Sequence, residues 1–246
     1  MRYQRVLIKL SGRAISGKQE FGFDPDALNH VADEVLGMHA RGVQISIVVG
    51  GGNIFYGTLA AHWGIERAEA DNIGMLGTIV NSLMLRGVLT SHSKGQVEVR
   101  VLSAIPVNTV AEPFIRLRAI HHLEKGYIVI FAGGTGNPYV TTDYTAAQRA
   151  IETRSDALLF AKNRARGIFT ADPQKDPKAR FYRRMRYNTI LQKELAIIDQ
   201  PSVILARDHR MPLHLFNFTE RGTMLRICQG EDVGTLVSAV DGEVLE

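Results

Sequence analysis

The chain has 246 residues, of which 45% are hydrophobic and 22% are charged, as in an ordinary folded globular protein. This composition excludes a disordered or fibrous protein, and the length fits one large domain or two fused lobes. Twenty-nine basic and 25 acidic residues leave a formal charge of +4, a mild excess that suits an anionic ligand as readily as nucleic acid.

The apolar stretches and the single cysteine predict a cytoplasmic protein without a membrane segment. Residues 43–50 and 127–132 are the longest apolar runs, far short of the roughly 18 residues that cross a bilayer. Lys9 interrupts the apolar N-terminal run before it could serve as a signal peptide. Cys228 can form neither an internal disulfide nor a thiolate metal cage, and the histidines show no metal-ligand spacing.

Strands and helices are predicted to alternate along the chain. Strands are predicted at residues 3–10, 43–49, 97–103, 127–132, 157–161 and 212–216. Helices are predicted between Asp24 and Gly42, at 73–89 and 112–125, from Tyr144 onward, and at 190–198, 201–209 and 219–228. Apolar strands in such alternation predict a mainly parallel sheet covered by helices on both faces. Without a linker or a repeat, the two halves are expected to share one continuous sheet.

A basic segment at residues 178–186 could bind nucleic acid or form a solvated strand or loop. The aromatic residues Phe181, Tyr182 and Tyr187 that accompany its arginines are equally common in strands. We therefore favour the solvated strand or loop and expect no nucleic-acid partner.

Three predicted strands end in glycine-rich turns, at residues 9–12, 50–53 and 133–137. In a parallel sheet these turns converge at one edge, where glycine lets backbone N–H groups approach an anion. The sequence therefore indicates convergent phosphate-binding loops, with Lys9 able to reach the phosphate. The alternatives are that glycine only terminates each strand and that Lys9 is a solvated edge residue. Neither a P-loop nor a G-x-G-x-x-G pattern is present.

Two aspartates near these turns allow two interpretations each. Asp143 follows the third turn at a predicted helix start, where it would cap the helix or hold Lys9. Asp172 precedes Pro173, so it would initiate a turn or take part in the site.

With these motifs in order, the sequence resembles the bacterial uridylate (UMP) kinases of the amino-acid kinase superfamily over nearly its whole length. The motifs that carry the resemblance are Lys9-Leu10-Ser11-Gly12, Gly50-Gly51-Gly52-Asn53-Ile54-Phe55, Asp71 with Gly74-Met75-Leu76, Ser103-Ala104-Ile105-Pro106, residues 134–143, Phe169-Thr170-Ala171-Asp172-Pro173, Leu205-Ala206-Arg207-Asp208 and Gly234-Thr235-Leu236.

The resemblance implies a three-layer αβα sandwich, assembled as a homohexamer, that transfers the γ-phosphoryl of ATP to UMP with Mg²⁺ in pyrimidine nucleotide biosynthesis. It implies one domain, with residues 1–155 as the acceptor-binding half and residues 156–246 as the ATP-binding half. GTP and UTP are the effectors that it suggests.

The resemblance also assigns residues to the site but leaves the metal ligands unassigned. Lys9, Asp143 and Asp172 would be catalytic, and Asp143 would orient Lys9. The residues expected to bind ATP are Lys9, Leu10, Ser11, Gly12, Gly52, Tyr56, Asn163, Phe169 and Asp172. Those expected to bind UMP are Gly51, Asp71, Thr135, Gly136, Asn137, Pro138, Tyr139, Val140, Thr141 and Thr142.

Three positions depart from the family pattern: Arg13 stands where the family has glutamate, Tyr56 where it has arginine and Arg166 where it has aspartate. Tyr56 offers a neutral hydroxyl where a cation would contact phosphate. Arg13 is a candidate to return that charge. The departures keep an alternative open, a paralogue that binds nucleotide or phosphate as a regulatory or storage assembly with weak or no kinase activity.

Overall fold

A sheet of eleven strands runs through the residues described by the computed structural model, which are 1–163, 166–171, 173, 175–195, 197–239 and 242–246. The strands are β1 (Arg5–Leu10), β2 (Gln44–Val49), β3 (Val99–Ser103), β4 (Glu112–Pro113), β5 (Ile128–Ala132), β6 (Ala157–Lys162), β7 (Ile168–Phe169), β8 (Phe181–Arg186), β9 (Leu213–Asn217), β10 (Thr235–Ser238) and β11 (Val244–Leu245). The helices are α1 (Arg13–Ser16), α2 (Pro25–His39), α3 (Gly57–Ala60), α4 (Arg67–His92), α5 (Arg116–Glu124), α6 (Thr142–Glu152), α7 (Tyr187–Gln192), α8 (Gln200–Asp208) and α9 (Thr223–Gln229).

The strand order is β11-β8-β10-β9-β6-β1-β2-β5-β3-β4, with β7 paired to β8. Pairing is parallel from β9 through β6, β1, β2, β5 and β3 to β4. Antiparallel pairs occur at β9–β10, β8–β11 and β7–β8. The predicted mainly parallel sheet is therefore confirmed, and β1 lies near its centre.

Helices cover both faces of the sheet. Side chains of each strand alternate between the two faces, so the central strands contribute to the cores on both sides. Val6, Ile8 and Leu10 face a core that includes buried residues of α2, α4 and α9. Leu7 faces a second core with residues of α5, α6 and α8. The confirmed αβα sandwich thus places Lys9, which alternates with Ile8, on the same face as α6.

Two predicted helices differ from the structure for reasons of pairing and turn formation. Glu112–Pro113 forms the edge strand β4 beside β3, and α5 begins only at Arg116. Proline fits an edge strand because it lacks the N–H that a central strand would need. The helix predicted at 190–198 is instead α7, which ends at Gln192; the chain then turns through Glu194 with a φ of 48°.

Helix α4 is long and apolar enough, by length and composition alone, to cross a membrane. The sequence prediction considered only uninterrupted apolar runs, and in this helix polar residues such as Thr78 and Asn81 interrupt the apolar ones. The helix packs against α2, β3 and β5, and Ile79, Leu85 and Leu89 lie in the core. This packing accounts for the apolar residues on its buried side.

Buried His214 on β9 predicts an acid-sensitive fold. Its Nε2 lies 3.0 Å from the Tyr3 hydroxyl, and burial lowers its pKa to about 3. The unfolded chain takes up a proton near pH 6.5 and the folded chain near pH 3, so stability falls as pH falls through that window. Between about pH 6.5 and pH 5, we expect the free energy of unfolding of His214→Gln to fall by about 2 kcal/mol less than that of the parent protein, as measured by urea unfolding.

Tyr3→Phe is the control, since it removes the hydrogen bond without removing the titrating group. It should lower stability by a similar amount at both pH values. A His214→Gln variant with the pH dependence of the parent protein would contradict the assignment.

Candidate active site

The glycine turns after β1 and β2 meet the start of α6 at the edge formed by the carboxyl ends of the strands. The Gly50 N–H donates to the Leu10 carbonyl at 2.9 Å. A Cβ on Gly50 would lie 3.4 Å from the Gly12 nitrogen and 3.5 Å from Thr142 Oγ1. A Cβ on Gly12 would lie only 2.6 Å from the Asn53 nitrogen. These glycines therefore do more than end a strand: they allow the backbone of the loop after β1 to approach the backbone of the loop after β2.

Lys9 and Asp143 form an ion pair at this meeting point. Lys9 Nζ lies 2.6 Å from Asp143 Oδ1, and the side chains are only 11% and 15% exposed. The cap of α6 is Thr141, whose Oγ1 accepts from the Tyr144 N–H at 3.1 Å. The carboxylate of Asp143, in the first turn, is thus available to hold the Lys9 ammonium at the edge of the sheet.

The loop after β2 is braced by two buried amides, one on α4 and one in the loop itself. Asn81 Nδ2 donates to the Gly50 carbonyl and to Asn53 Oδ1, each at 2.7 Å. Asn53 Nδ2 donates in turn to the Gly22 carbonyl at 2.9 Å. Sequence reasoning did not single out Asn81, although an asparagine inside a predicted core-facing helix was an available signal. The brace fixes the conformation of the loop next to Lys9.

Asp71 on α4 connects to the third glycine loop. Its two carboxylate oxygens share a bifurcated hydrogen bond from the Arg67 Nε–H, each at 2.9 Å, and one of them accepts from the Tyr139 N–H at 2.7 Å. Tyr139 has a φ of 65°, an uncommon conformation for a residue with a side chain. The structure therefore brings Asp71 together with the loop that contains residues 135–142.

A polar cleft of about 510 Å³ lies beside that loop. Thr135, Asn137 and Val140 of the loop line it, together with Tyr144 and Arg149 of α6. Arg149 is buried, paired with Glu152 at 2.6 Å, so its charge is already partly compensated. The cleft offers amide and hydroxyl groups of the kind that recognise a polar ring.

The residues expected on the ATP side are only partly brought together. Asn163 Nδ2 donates to the Arg13 carbonyl at 3.0 Å, which places it beside the first loop. Tyr56 is exposed, and its ring lies over Gly52, where a Cβ would be 3.2 Å from it. Phe169 lies on the β7–β8 hairpin and contacts Phe181 with the ring centres 5.3 Å apart. The position predicted at Asp172 lies outside the described residues.

The remaining departures from the family pattern lie at the surface. Arg13 is exposed beside the first loop. Arg166 Nη2 pairs with a Glu246 carboxylate oxygen at 3.1 Å, and its guanidinium lies 4.3 Å from the centre of the Phe181 ring. Glu246 therefore offsets part of the charge that Arg166 introduces.

Two further groups at this edge were missed by sequence reasoning. Asp199 caps α8 through the Ser202 N–H at 2.7 Å and accepts a short hydrogen bond from Thr141 Oγ1. Lys162 ends β6 next to the strand that carries Lys9. Its signal was present, because Lys162, like Lys9, lies at the end of an apolar strand.

Comparison with known proteins relates this arrangement to one family. The model of the amino acid kinase family matches residues 4–217. The uridylate kinase of Frankia casuarinae is 52% identical over 238 residues, covering 97% of this chain and 91% of that protein.

Two solved structures show the same fold. The UMP kinase of Bacillus anthracis is 55% identical, with a TM-score of 0.96 and full coverage of both chains. The UMP kinase of Ureaplasma parvum is 33% identical, with a TM-score of 0.90, covering 97% of this chain and all of that one. Because the family model matches most of the chain and these relatives are uridylate kinases, the chain belongs to the amino acid kinase family, among its uridylate kinases.

Proposed function

We propose that the protein transfers the γ-phosphoryl group of ATP to UMP, giving UDP and ADP in pyrimidine nucleotide synthesis. The observation that carries the proposal is the Lys9–Asp143 pair, at 2.6 Å, where the glycine loops meet. The similarity to uridylate kinases extends over the whole chain and so supports a shared activity.

Phosphoryl transfer depends mainly on the alignment of the two substrates and on positive charge around the transferred group, and little on covalent catalysis by the protein. A phosphate oxygen of UMP attacks the γ-phosphorus, the bond to the β,γ-bridging oxygen breaks, and ADP leaves with the electron pair. The attacking oxygen is already ionised at neutral pH, so no strong general base is needed. Lys9 and the loop N–H groups stabilise the charge on the moving group, and Asp143 keeps the ammonium in place.

The two substrates would occupy different halves of the edge. Residues 156–246 would complete the ATP side, and residues 1–155 the acceptor side. ATP would contact residues 9–12, Gly52, Tyr56, Asn163, Phe169 and Asp172, with Lys9 at the reacting phosphates and Asp172 as a further catalytic residue. UMP would contact Gly51, residues 135–142 and Asp71, whose carboxylate would accept from ribose hydroxyls. The cleft beside Thr135 and Asn137 would take the pyrimidine.

Mg²⁺ is proposed to arrive with the phosphates of ATP. Among the described residues no three His, Cys, Asp or Glu side chains form a metal-binding group. Mg²⁺ in nucleotide kinases is held mainly by phosphate and water with one or two carboxylates. Asp143 and Asp199 are the carboxylates at this edge that would contact it or its water. When bound, the ion would neutralise phosphate charge.

Assembly with further copies of this chain, as in a homohexamer, is proposed from an exposed apolar stripe on α4. Leu76, Val80 and Met84 follow one another at four-residue spacing and are exposed. The stripe adjoins a cleft of about 770 Å³ between α2 and α4 that Phe23, Leu28 and other apolar side chains line. A second copy presenting the same stripe would cover this surface.

GTP or UTP, acting as an effector, would bind at a second site, away from the catalytic edge. That site would need cations to bind the phosphates. A polar cleft of about 740 Å³ between α4 and the β3–β4 edge carries Arg86 and Arg100, together with Glu98 and Glu112, which pair with Arg100. We place the effector there. The substrates are cytoplasmic metabolites, so we also place the protein in the cytoplasm.

The acceptor assay decides between this function and a nucleotide-binding paralogue, which Tyr56 and Arg166 would favour. ADP release is measured with ATP and UMP, CMP, GMP or no acceptor. We expect UMP-dependent turnover of about 1 s⁻¹ or faster, as for ordinary kinases. Tight binding of ATP and UMP without ADP release would instead establish the paralogue.

A further inference from the structure

Lys162 stands beside Lys9 at the carboxyl edge of the sheet. Phe160 is the register partner of Lys9, and Lys162 lies two residues further along β6, on the same face of the sheet. Its Nζ donates to the Ile197 carbonyl at 2.6 Å and lies 5.6 Å from the centre of the Phe160 ring. Two lysines from adjacent strands therefore end on the α6 and α8 side of this edge.

The two lysines differ in how their charge is compensated. Lys9 has the carboxylate of Asp143, whereas no described carboxylate lies within 4.0 Å of Lys162 Nζ. An ammonium has three donors, and the Ile197 carbonyl accepts from one. Burial lowers the pKa of Lys162, and the nearby carboxylates of Asp143 and Asp199 offset this effect only in part. A largely buried cation with unused donors is stabilised when an anion binds beside it.

The elements around Lys162 also favour an anion. Helix α6 begins at Thr142 and helix α8 at Gln200, and the hydrogen bond from Thr141 to Asp199 joins their caps. Ile197 lies just before that cap, so Lys162 connects β6 to the start of α8. The N-terminal ends of both helices add positive potential to that of the two lysines.

We propose that Lys162 is a second phosphate-binding cation of the transfer site, contacting the γ-phosphoryl group together with Lys9. The inference rests on the proposed kinase function. The transferred group carries its charge on three equatorial oxygens, so a second ammonium would add to what Lys9, the loop N–H groups and Mg²⁺ supply. Tyr56, at the loop over Gly52, offers a hydroxyl and no such cation. In this role Lys162 acts as an ammonium that donates hydrogen bonds and exchanges no proton with the substrates.

The decisive variant is Lys162→Gln, because glutamine carries no charge but keeps an N–H donor on a side chain one bond shorter than that of lysine. Calorimetric binding of ADP is compared with binding of an ATP analogue whose γ-phosphorus cannot be transferred. We expect the variant to bind the analogue roughly tenfold more weakly, about 1.4 kcal/mol, and ADP within about twofold of the parent protein. The kcat for UMP phosphorylation should fall roughly 100-fold while KM for UMP stays within about threefold.

Two further variants separate charge from structure. Lys162→Arg keeps the charge and should restore discrimination between the analogue and ADP. Lys125→Met removes an exposed lysine at the end of α5 and should leave both affinities and kcat unchanged. Thermal unfolding of each variant verifies the fold, and Lys162→Met repeats the comparison if the glutamine variant is unstable.

The outcomes are separable. Equal weakening of ADP and the analogue, or no weakening of either, would overturn the assignment of Lys162 to the γ-phosphoryl group. If the parent protein releases no ADP with UMP, the proposed function fails. The comparison of ADP with the ATP analogue would then still decide where Lys162 acts.

Discussion

Lys9→Met is expected to reduce UMP-dependent ADP release by at least about 10³-fold while leaving the fold in place. Methionine has a similar length and can pack along β1, but it removes the ammonium from the point where the loops meet. Because the lost interaction is strongest in the transition state, kcat should fall far more than KM rises. Steady-state kinetics and a circular dichroism spectrum of the same sample measure both effects.

The variant also leaves Asp143 without its partner, which itself costs stability. The double variant Lys9→Met/Asp143→Asn removes both charges and should regain part of the lost stability without regaining activity. Lys18→Met, which removes an exposed lysine after α1, is the matched control and should retain full activity. A Lys9→Met protein with more than about a tenth of the parent rate would exclude Lys9 as the main cation.

Gly12→Ala is expected to damage the site through the backbone. The new methyl group would lie 2.6 Å from the Asn53 nitrogen and 3.0 Å from the Gly52 nitrogen, and neither atom can rotate away. The first and second loops must therefore move apart, which displaces N–H groups that would contact phosphate. We expect kcat/KM for ATP to fall roughly 100-fold, with about 1–3 kcal/mol lost in the free energy of unfolding.

Gly37→Ala tests whether the effect is specific to the loops. Gly37 lies within α2, and a Cβ there would meet nothing within 4 Å. Alanine should therefore preserve activity and raise the free energy of unfolding by about 0.5–1 kcal/mol. Parent-like kinetics in Gly12→Ala would show that the loops tolerate separation, contrary to the assigned role.

Much of the fold could be predicted because its signals are local. The apolar runs before Gly12 and Gly50 are long enough to form buried strands. Asp24 and Pro25 mark the start of α2, and the Asp24 carboxylate does accept from the Ala27 N–H at 3.0 Å. The helix predicted at 201–209 was placed almost correctly, because Pro201 lies in the first turn of α8.

Elements that depend on a partner strand or a turn could not be predicted in the same way. Glu112–Pro113 reads as a helix start, because proline fits the first turn of a helix. Only the neighbouring strand β3 makes it an edge strand. The segment after Gln192 keeps a helical pattern, yet the chain turns at Glu194, and Leu195 donates back to the Ile190 carbonyl.

The sequence by itself determined the parallel sheet, the glycine turns and the presence of Lys9 and Asp143 near strand and helix ends, because each follows from spacing within a few residues. Only the tertiary structure decided that Thr141 caps α6 and leaves Asp143 to Lys9, that Asn81 braces the second loop, and that Lys162 ends beside Lys9. The reason is physical: ion pairs and hydrogen bonds between distant residues depend on strand register and helix placement, which no local pattern specifies.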